Sequence, residues 1–496
     1  MHLTRIVPLL LLLLFSLPLS AQTPVSPGML MIGSHPAFPD AEAVMLLDKG
    51  EISVTAEYQL MIRYKARIHI LKEAGLRYAD VVIPFFRQGN RQIVSDVHAR
   101  SYKLRDGEMA VTELKAQDVF TVDESDGWAQ IRFSIPAAEP GAILEYEYVL
   151  IDESIFSYTW YFQEALPILK SEVSMLHRPE RIAYSFFFQG AFKEKLVKLE
   201  GEHWTMSDMP AMEEEPYVPN LRDYRSKMII QVGEYVNVNT GQVQKVIGTW
   251  EGFSKDMLSD DQLDDVFKTR EDLGLLAREA AAGARDTLDI IRNVYAYVQK
   301  KMYWNGEWGI FPSERVSKLL EHKEADAGEI NFVLISLLRH AGVDALPMLL
   351  STRAHGQVIE AFPLMVQFNV LVGFVRVGNK KYVLDACDPL RPFSLPQIQE
   401  LNEKGWVLAP KNSRWEPVTA NTSSRSDLLV NWRFVPEGLQ GDVSWTSTGY
   451  KALAIKHDLE ASNPPDVLRK LLSLEVNDAS VSNIQVRGAS TADSSL

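Results

Sequence analysis

Side chains suited to acyl-transfer chemistry lie close together in the middle of the sequence. Ser351 and His355 are four residues apart, and Asp385 is followed two positions later by Cys387, the only cysteine among 496 residues. Enzymes of this class activate a serine or thiolate nucleophile with a histidine base, which a carboxylate orients. These four side chains are therefore the first candidates for a catalytic site.

Each candidate also has a simpler structural interpretation. Ser351 lacks the G-x-S-x-G elbow that exposes a catalytic serine, so a Ser351–His355 pair oriented by Asp385 is only one hypothesis. Cys387 shares a strand face with Asp385, but a small buried hydrophobic residue is the simpler interpretation. Arg353, in the same loop as His355, either binds a carboxylate or phosphate through its planar fork or forms a surface ion pair.

A buried helix is predicted at Ala327–Ala341, just before these side chains. Asp326 and Glu329 form a D-x-x-E capping box that places the helix start at about Ala327. The helix is apolar almost all round, which predicts burial, and Gly342 stands where a C-terminal stop is expected. Three strand-like segments follow, at Leu346–Ser351, Leu364–Val377 and Lys381–Asp385. A buried helix beside antiparallel strands predicts an α+β core.

Period-two patterning dominates the first half of the chain. Apolar residues alternate with basic ones between Ile62 and Ile70, and mainly with glutamates between Leu144 and Leu150. Turn signals such as Asp106-Gly107 separate further strand candidates at a spacing of roughly 8–12 residues. This pattern predicts a β-sandwich from about Ala41 to Asp223.

The motifs of the two halves together resemble those of bacterial exported proteins that join a β-sandwich domain of unknown function to a transglutaminase-like (papain-type) domain. In the first half these motifs are FSIP at Phe133–Pro136, the strand GAILEYEYVL and the stretch FQEALPILKSE. In the second half they are INFVLISLLRHAGVDALPMLLSTR, FNV at Phe368–Val370 and LDACDP at Leu384–Pro389. The resemblance covers roughly residues 40 to 415.

The resemblance implies a cysteine at the start of the buried helix, a histidine on a facing strand and an aspartate on the next strand. The matching positions here are Ala327, Val370 and Asp385. A helix N-terminus lowers the pKa of a thiol, but alanine offers no nucleophile and valine accepts no proton. The sequence therefore predicts a pseudoenzyme that lacks the standard transglutaminase mechanism.

Three functions remain open at this stage. The leading hypothesis is a non-catalytic binding or scaffold protein that keeps the old cleft for a peptide or glycan. The second is a cysteine or serine amidohydrolase or acyl transferase with relocated catalytic residues. The third is a purely structural partner of an envelope protein. An open groove beside Ala327 favours the binder, and a closed one favours the structural partner.

An aromatic, glycine-rich segment precedes the buried helix and contains Trp304 and Trp308. Exposed indole rings stack on sugar rings or peptide side chains. The favoured alternative is that these rings pack the domain interface. No H-E-x-x-H, calcium-loop, G-x-G-x-x-G or Walker A pattern occurs, so neither a metal nor a cofactor is expected. The single cysteine excludes an intramolecular disulfide and a cysteine-based zinc cluster.

The net charge bears on the class of partner, and the N-terminal segment indicates the cellular location. The 51 basic and 65 acidic residues give a net charge of −14, which argues against a nucleic-acid partner. Arg5 is followed by the apolar run Ile6–Phe15 and by SLPLSAQ, the pattern of a signal peptide cleaved after Ala21. No other stretch approaches the length of a membrane span. We expect an exported protein, periplasmic or secreted, of a Gram-negative bacterium.

The predicted fold class is multidomain, with a β-sandwich, an α+β transglutaminase-like domain and a short β-rich C-terminal segment. The expected order is a signal peptide at 1–21, a loop at 22–40, the sandwich at 41–223, a linker at 224–258, the transglutaminase-like domain at 259–418, a linker at 419–427 and the β-rich segment with a disordered tail at 428–496. The C-terminal piece is short for a complete sandwich.

Overall fold

The computed structural model describes residues 24–124, 127–213, 215–216, 218, 220–259, 263, 271–420, 423–436, 438–472 and 482–488. The predicted signal peptide and the tail from Ala489 lie outside these residues. The chain divides into two compact units, Met1–Glu213 with Arg225–Val232 and Glu214–Tyr224 with Gly233–Leu496. Strands make up 39% and helices 24%, so the prediction of a multidomain, strand-rich chain is confirmed.

The first unit consists almost entirely of strands. After a short helix, α1 (Pro27–Leu30), they are β1 Ala43–Val54, β2 Leu60–Ile70, β3 Asp80–Phe86, β4 Gln92–Arg105, β5 Glu108–Glu113, β6 Phe120–Asp123, β7 Trp128–Ser134, β8 Ile143–Asp152, β9 Ser157–Tyr161, β10 Ile168–His177, β11 Ile182–Gln189, β12 Val197–Lys198 and β13 His203–Met209. An eight-stranded sheet has the order β12-β13-β10-β1-β2-β8-β4-β5, and a three-stranded sheet has the order β3-β7-β6.

Alternation along β2 and β8 gives the large sheet two different faces. Tyr64 pairs with Tyr148 on one face, and Arg67 pairs with Glu145 on the other. The basic residues predicted on β2 do not form a simple solvated face. Arg67 is buried, and its Nη2 donates to Glu145 Oε2 at 2.6 Å. Cross-strand ion pairing therefore lets this face pack closely while remaining charged.

The predicted boundary at Asp223 differs from the observed division of the chain. Residues Glu214–Tyr224 group with the second unit, whereas Arg225–Val232 group with the first. The cause is a strand, β14 (Lys227–Val236), whose first half pairs with β9. The predicted linker at 224–258 therefore contains regular structure.

The second unit is mixed α and β. Its strands are β15 Val243–Lys245, β16 Tyr303–Trp304, β17 Glu324–Ala325, β18 Ala345–Leu350, β19 Val370–Val377, β20 Lys380–Leu384, β21 Lys404–Val407, β22 Arg414–Pro417, β23 Ser426–Val435 and β24 Gly438–Ser447. Its helices are α2 Trp250–Ser259, α3 Gly274–Ala280, α4 Thr287–Lys301, α5 Val316–His322, α6 Ala327–His340, α7 Gly449–Ala461 and α8 Pro464–Leu471. A five-stranded sheet has the order β20-β19-β18-β21-β22.

Helix α6 is the centre of this second unit. It packs on β18 and β19 and contacts α3, α4 and α5 on its other sides. Asp326 Oδ1 accepts from the Glu329 backbone N–H at 2.8 Å, and Glu329 Oε2 accepts from the Asp326 N–H at 3.2 Å. The helix therefore begins where the capping box predicts, and its apolar circumference is explained by neighbours on every side.

One predicted strand is shorter than the sequence indicates. The segment Leu364–Val377 contains a 3-10 turn at Met365–Gln367 and becomes a strand only from Val370. The Gln367 side chain causes the difference, because it accepts from the Ile359 N–H at 2.6 Å and donates to the Phe362 carbonyl. Binding a neighbouring loop in this way prevents the segment from continuing as a ladder strand.

The C-terminal segment is not uniformly β-rich, which corrects the prediction for residues 428–496. Strands β23 and β24 form a hairpin, but α7 and α8 follow it. The Asn463 side chain accepts from the Asp466 N–H at 3.1 Å, and Pro464 occupies the first position of α8. This Asn-Pro-Pro-Asp run is a helix start signal that strand patterning overlooked.

The hairpin has one apolar face. Leu428 pairs with Trp445, Val430 with Val443, and Trp432 with Gly441. Much of this face is exposed, including Trp432.

Within the parts of the chain that the structure describes, no helix is long and apolar enough to cross a membrane.

Candidate functional site

The start of α6 is closed by the protein itself. Ala327 is completely buried, and its N–H donates to the Glu307 carbonyl at 3.0 Å. The Asp326 carboxylate accepts from the Gly328 and Glu329 N–H groups, and the Asp326 carbonyl accepts from the Ile330 N–H at 3.1 Å. The donors that would stabilise a thiolate or an oxyanion are therefore already occupied.

The segment before the helix lies directly against this helix start. A side chain at Gly328 would collide with the backbone of Gly309, and one at Gly309 would collide with the Asp326 carboxylate. The Gly309 carbonyl accepts from the Leu371 N–H of β19 at 2.9 Å. This backbone therefore packs directly against the first turn of α6, next to Ala327.

Val370 and Asp385 lie around the same helix. Val370 is the first residue of β19, is fully buried and pairs with Leu350 of β18. Asp385 follows β20 directly and contacts α6 through Asn331, one helical turn after Ala327. The structure thus places the three mapped positions around one core, but without an opening at Ala327 or Val370.

Asp385 is held in a buried polar network. Asn331 Nδ2 donates to Asp385 Oδ1 at 3.0 Å, the Arg391 guanidinium donates to Oδ2, and the Tyr295 hydroxyl donates to the Asp385 carbonyl at 2.5 Å. Burial disfavours the charged carboxylate, yet Arg391 and the hydrogen bonds with Cys387, Asn331 and Glu400 keep the pKa of Asp385 below its ordinary value. The carboxylate therefore faces a guanidinium and an amide, and none of the contacts just described involves a histidine.

Sequence reasoning identified Asp385 but missed its partners in this network. Asn331 could have been recognised as a polar residue in the middle of a largely apolar helix, four positions after Ala327. Arg391 and Glu400 gave no signal, because they come from an irregular segment. Glu400 is fully buried, and burial together with the charge of Asp385 raises its pKa well above the ordinary value, so it holds its proton beside an ionised neighbour.

Cys387 does not have the properties of a relocated nucleophile. Its side chain is 7% exposed, and its backbone N–H donates to Asp385 Oδ1 at 3.2 Å. Burial and the nearby Asp385 charge raise the pKa of the Cys387 thiol well above the ordinary value. Reactive cysteines sit in the opposite environment, electropositive and accessible.

Ser351 and His355 do come together. Ser351 Oγ lies 2.9 Å from His355 Nδ1 and 2.5 Å from the Gly356 carbonyl oxygen. A carbonyl only accepts, so the single hydroxyl proton of Ser351 points to Gly356, and His355 Nδ1 must be the donor toward Ser351. Ser351 is 2% exposed, and the charged group acting on the His355 ring is Asp223 rather than Asp385.

The proposed ligand-binding residues lie in different environments. Arg353 is half-buried, its backbone N–H donates to the Gln399 carbonyl at 2.8 Å, and its Nε has no hydrogen-bond partner among the described residues. A surface ion pair, one of the two alternatives for Arg353, is not observed among the described residues. Trp304 and Trp308 have ring centroids 5.1 Å apart and pack against the core of the second unit.

The first unit contains a separate polar cavity. Its volume is about 310 Å³, and its lining includes His98, Arg100, Glu113, Glu145 and Glu147. Arg100 Nη2 donates to Glu145 Oε1 at 2.6 Å, so part of the charge in the cavity is compensated internally.

Over the described residues, no group of three or more histidine, cysteine, aspartate or glutamate side chains is arranged to hold a metal.

The first unit matches a known sequence family. Residues 58–213 match DUF3857, a domain of unknown function with a solved structure. This match covers less than half of the chain. No curated protein is significantly similar to the chain in sequence.

A crystal structure described as a "putative protease" from Parabacteroides distasonis has the most informative similarity in fold. It superimposes with a TM-score of 0.51 at 13% identity, over 77% of this chain and 72% of that one. At this identity the likeness is one of fold alone.

Two further similarities are weak. Yeast leukotriene A4 hydrolase with bestatin gives a TM-score of 0.22 at 8% identity, covering 38% of this chain and 29% of that one. A "putative cysteine protease" from Cytophaga hutchinsonii gives 0.20 at 9% identity, covering 78% and 97%. Neither carries an argument about this protein.

Proposed function

We propose that this protein is an exported, non-catalytic member of the transglutaminase-like group that acts as a scaffold in the bacterial envelope. The observation that supports this proposal is the closed start of α6. Ala327 is completely buried, and the helix N–H groups are bonded within the chain. Position 327 thus has no nucleophilic side chain and no exposed surface, which supports a non-catalytic role for this helix start.

The closed helix start also changes the expected mode of binding. A protein that kept the old cleft for a peptide or glycan needs a groove beside Ala327, and that position is sealed by Glu307 and Gly309. A partner would therefore be bound on other surfaces, and an envelope protein is the partner class that this proposal favours. The fold shared with the Parabacteroides structure supports descent from a catalytic ancestor, although that protein is itself described only as a "putative protease".

A serine hydrolase is the second candidate, because Ser351 Oγ lies within hydrogen-bond distance of His355 Nδ1. Two features count against it. The Ser351 proton is bonded to the Gly356 carbonyl, and the Ser351 side chain is almost inaccessible. A productive nucleophile needs its proton directed at the base and its oxygen open to substrate.

The test measures access to the helix start directly. A cysteine placed by Ala327→Cys in a Cys387→Ser background is expected to resist an aromatic disulfide reagent in the native state and to react fully after unfolding. Ser134→Cys in the same background is the matched control, because Ser134 is exposed on β7 and should react at once. Rapid native labelling at position 327 contradicts a closed site.

A second arm addresses residual catalysis. The wild type, Cys387→Ser and Ser351→Ala are incubated with a peptide mixture, an amine donor and reactive probes for serine and cysteine nucleophiles. We expect no turnover and no specific labelling in any of them. Turnover that disappears in Cys387→Ser or Ser351→Ala would overturn the non-catalytic proposal and identify the nucleophile.

A further inference from the structure

A carboxylic acid lies inside the all-β first unit, away from the positions discussed above. Asp48 of β1 is 3% exposed, and its Oδ2 accepts from the Ser171 hydroxyl of β10 at 2.7 Å. The Ser171 oxygen in turn accepts from Trp160 Nε1 of β9 at 3.1 Å. The Tyr64 hydroxyl of β2 also hydrogen-bonds Asp48. The carboxyl group thus connects four strands through neutral donors.

The titratable groups around Asp48 are phenols and one further acid. They are Tyr64 on β2, Tyr146 and Tyr148 on β8, Tyr158 on β9 and Glu164 after β9. Glu164 is itself paired with Arg225, at 2.6 Å. Among the described residues, no cation is a main cause of the shift in the pKa of Asp48. An ionised Asp48 would therefore be buried without a counter-charge, an arrangement that proteins avoid.

The short strand β9 covers the Asp48 carboxyl and packs closely against the large sheet. The Trp160 ring of β9 lies on β1 at Gly50, where any side chain would collide with it. Its centroid is 5.9 Å from that of Tyr64. Strand β9 has five residues and, in the described chain, pairs only with β14. A short strand with one ladder partner is among the elements that open most readily.

We propose that Asp48 is a proton-sensitive switch that controls whether β9 and Trp160 stay closed over the sheet. When Asp48 is neutral, the chain of hydrogen bonds through Ser171 keeps Trp160 in place. When Asp48 loses its proton, the charge needs water, and water reaches it when β9 opens. Opening would expose the indole ring and the tyrosine hydroxyls, a surface that is covered in the closed state.

The expected size of the effect follows from linkage. Burial raises the pKa of Asp48 from 3.8 to about 7 in the closed state. If opening restores the ordinary value, the opening equilibrium rises by about 30-fold at most between pH 5.5 and pH 8.5. Opening is therefore increasingly favoured as pH rises from about 4 to 7 and levels off above that, and acid favours the closed form.

The experiment is hydrogen–deuterium exchange of residues 157–161 at about pH 5.5 and pH 8.5, with protection factors corrected for intrinsic exchange. In the wild type, the protection factors of these residues should be at least about tenfold lower at the higher pH. Asp48→Asn should keep high protection at both values, because its side chain cannot ionise. Asp80→Asn, at an exposed carboxyl on β3, is the matched control and should behave as the wild type.

A second variant covers the case in which Asp48→Asn does not fold. Ser171→Ala removes a donor that favours the carboxylate, so the loss of protection should continue to a higher pH before it levels off. A merely structural role for Ser171 would lower protection equally at every pH. Wild-type protection that is independent of pH, an Asp48→Asn protein that keeps the full pH dependence, or a Ser171→Ala protein whose protection levels off at the wild-type pH each overturns the switch.

Discussion

The Asn331 side-chain amide lies 3.0 Å from Asp385 Oδ1, one helical turn beyond the position where a catalytic cysteine is expected. The same side chain donates to the Leu371 carbonyl and accepts from the Ala386 N–H, both at 3.0 Å. Asn331 therefore joins α6, β19 and the end of β20. The aspartate of the mapped triad is now part of the core that holds these elements together.

Removing the cation from this core should be strongly destabilising. Arg391→Met leaves the Asp385 carboxylate buried without a counter-charge and should lower the free energy of unfolding by about 3–5 kcal/mol. Urea denaturation at neutral pH measures the change. Arg376→Met is the control, since the exposed Arg376 pairs with Glu416 at 3.4 Å, and it should cost about 1 kcal/mol or less. Equal losses in the two variants would contradict a structural role for the buried pair.

The Cys387 thiol should be unreactive in the folded protein. Burial and the Asp385 charge hold its pKa above the ordinary value, so little thiolate forms at neutral pH. Alkylation followed by mass spectrometry should show no native modification at pH 7.5 and complete modification in urea. Native alkylation whose rate reveals a pKa below that of a free thiol would restore Cys387 as a nucleophile.

Stability of the first unit should depend on pH through Asp48. Its pKa is about 7 when folded and 3.8 in water, so the folded state binds the proton more tightly. Stability should therefore fall as pH rises from about 4 to 7 and level off above that, by up to about 4 kcal/mol. Chemical denaturation across this range compares the wild type with Asp48→Asn, whose curve should lack this fall.

A methyl group added at Gly50, which lies beneath the Trp160 ring, should destabilise the first unit. Gly50→Ala makes Cβ collide with the indole ring and should lower the free energy of unfolding by about 1–3 kcal/mol. Gly33→Ala is the control, because nothing lies within 4 Å of the added carbon there. Thermal unfolding followed by circular dichroism compares them. A neutral Gly50→Ala would show that Trp160 does not rest on β1.

Export predicts a defined mature N-terminus. If residues 1–21 are a signal peptide, protein recovered from the periplasmic or extracellular fraction should begin at Gln22. Intact-mass measurement, allowing for cyclisation of an N-terminal glutamine, decides the point. Full-length protein confined to the cytoplasmic fraction would contradict the proposed envelope role.

Local sequence signals predicted several elements of both units with good accuracy. The capping box at Asp326 and Glu329 indicated the start of α6, and period-two alternation indicated β2 and β8 in the first unit. These signals succeed because each depends on neighbours within a few residues. The strand predicted from Leu364 began late because Gln367 bonds to a loop, an interaction that alternation does not encode.

The closed site could not be predicted in the same way. The sequence shows that position 327 is an alanine, but the closure depends on where Glu307 and Gly309 lie in space. Likewise, Arg391 and Glu400 contact Asp385 from an irregular segment. The sequence of that segment has no periodic pattern from which its path could be predicted. Tertiary contacts between distant residues decided whether the position is a cleft or a core.

The glycine backbone that lies against the start of α6 also limits what substitution alone could add to this chain. With a cysteine at position 327 and a histidine at position 370, the Gly309 carbonyl would still lie against the first turn of the helix. A catalytic site at this position would therefore also need the segment around Gly309 to move. Side-chain substitutions and a backbone displacement would have to occur together, so single substitutions are not expected to create activity there.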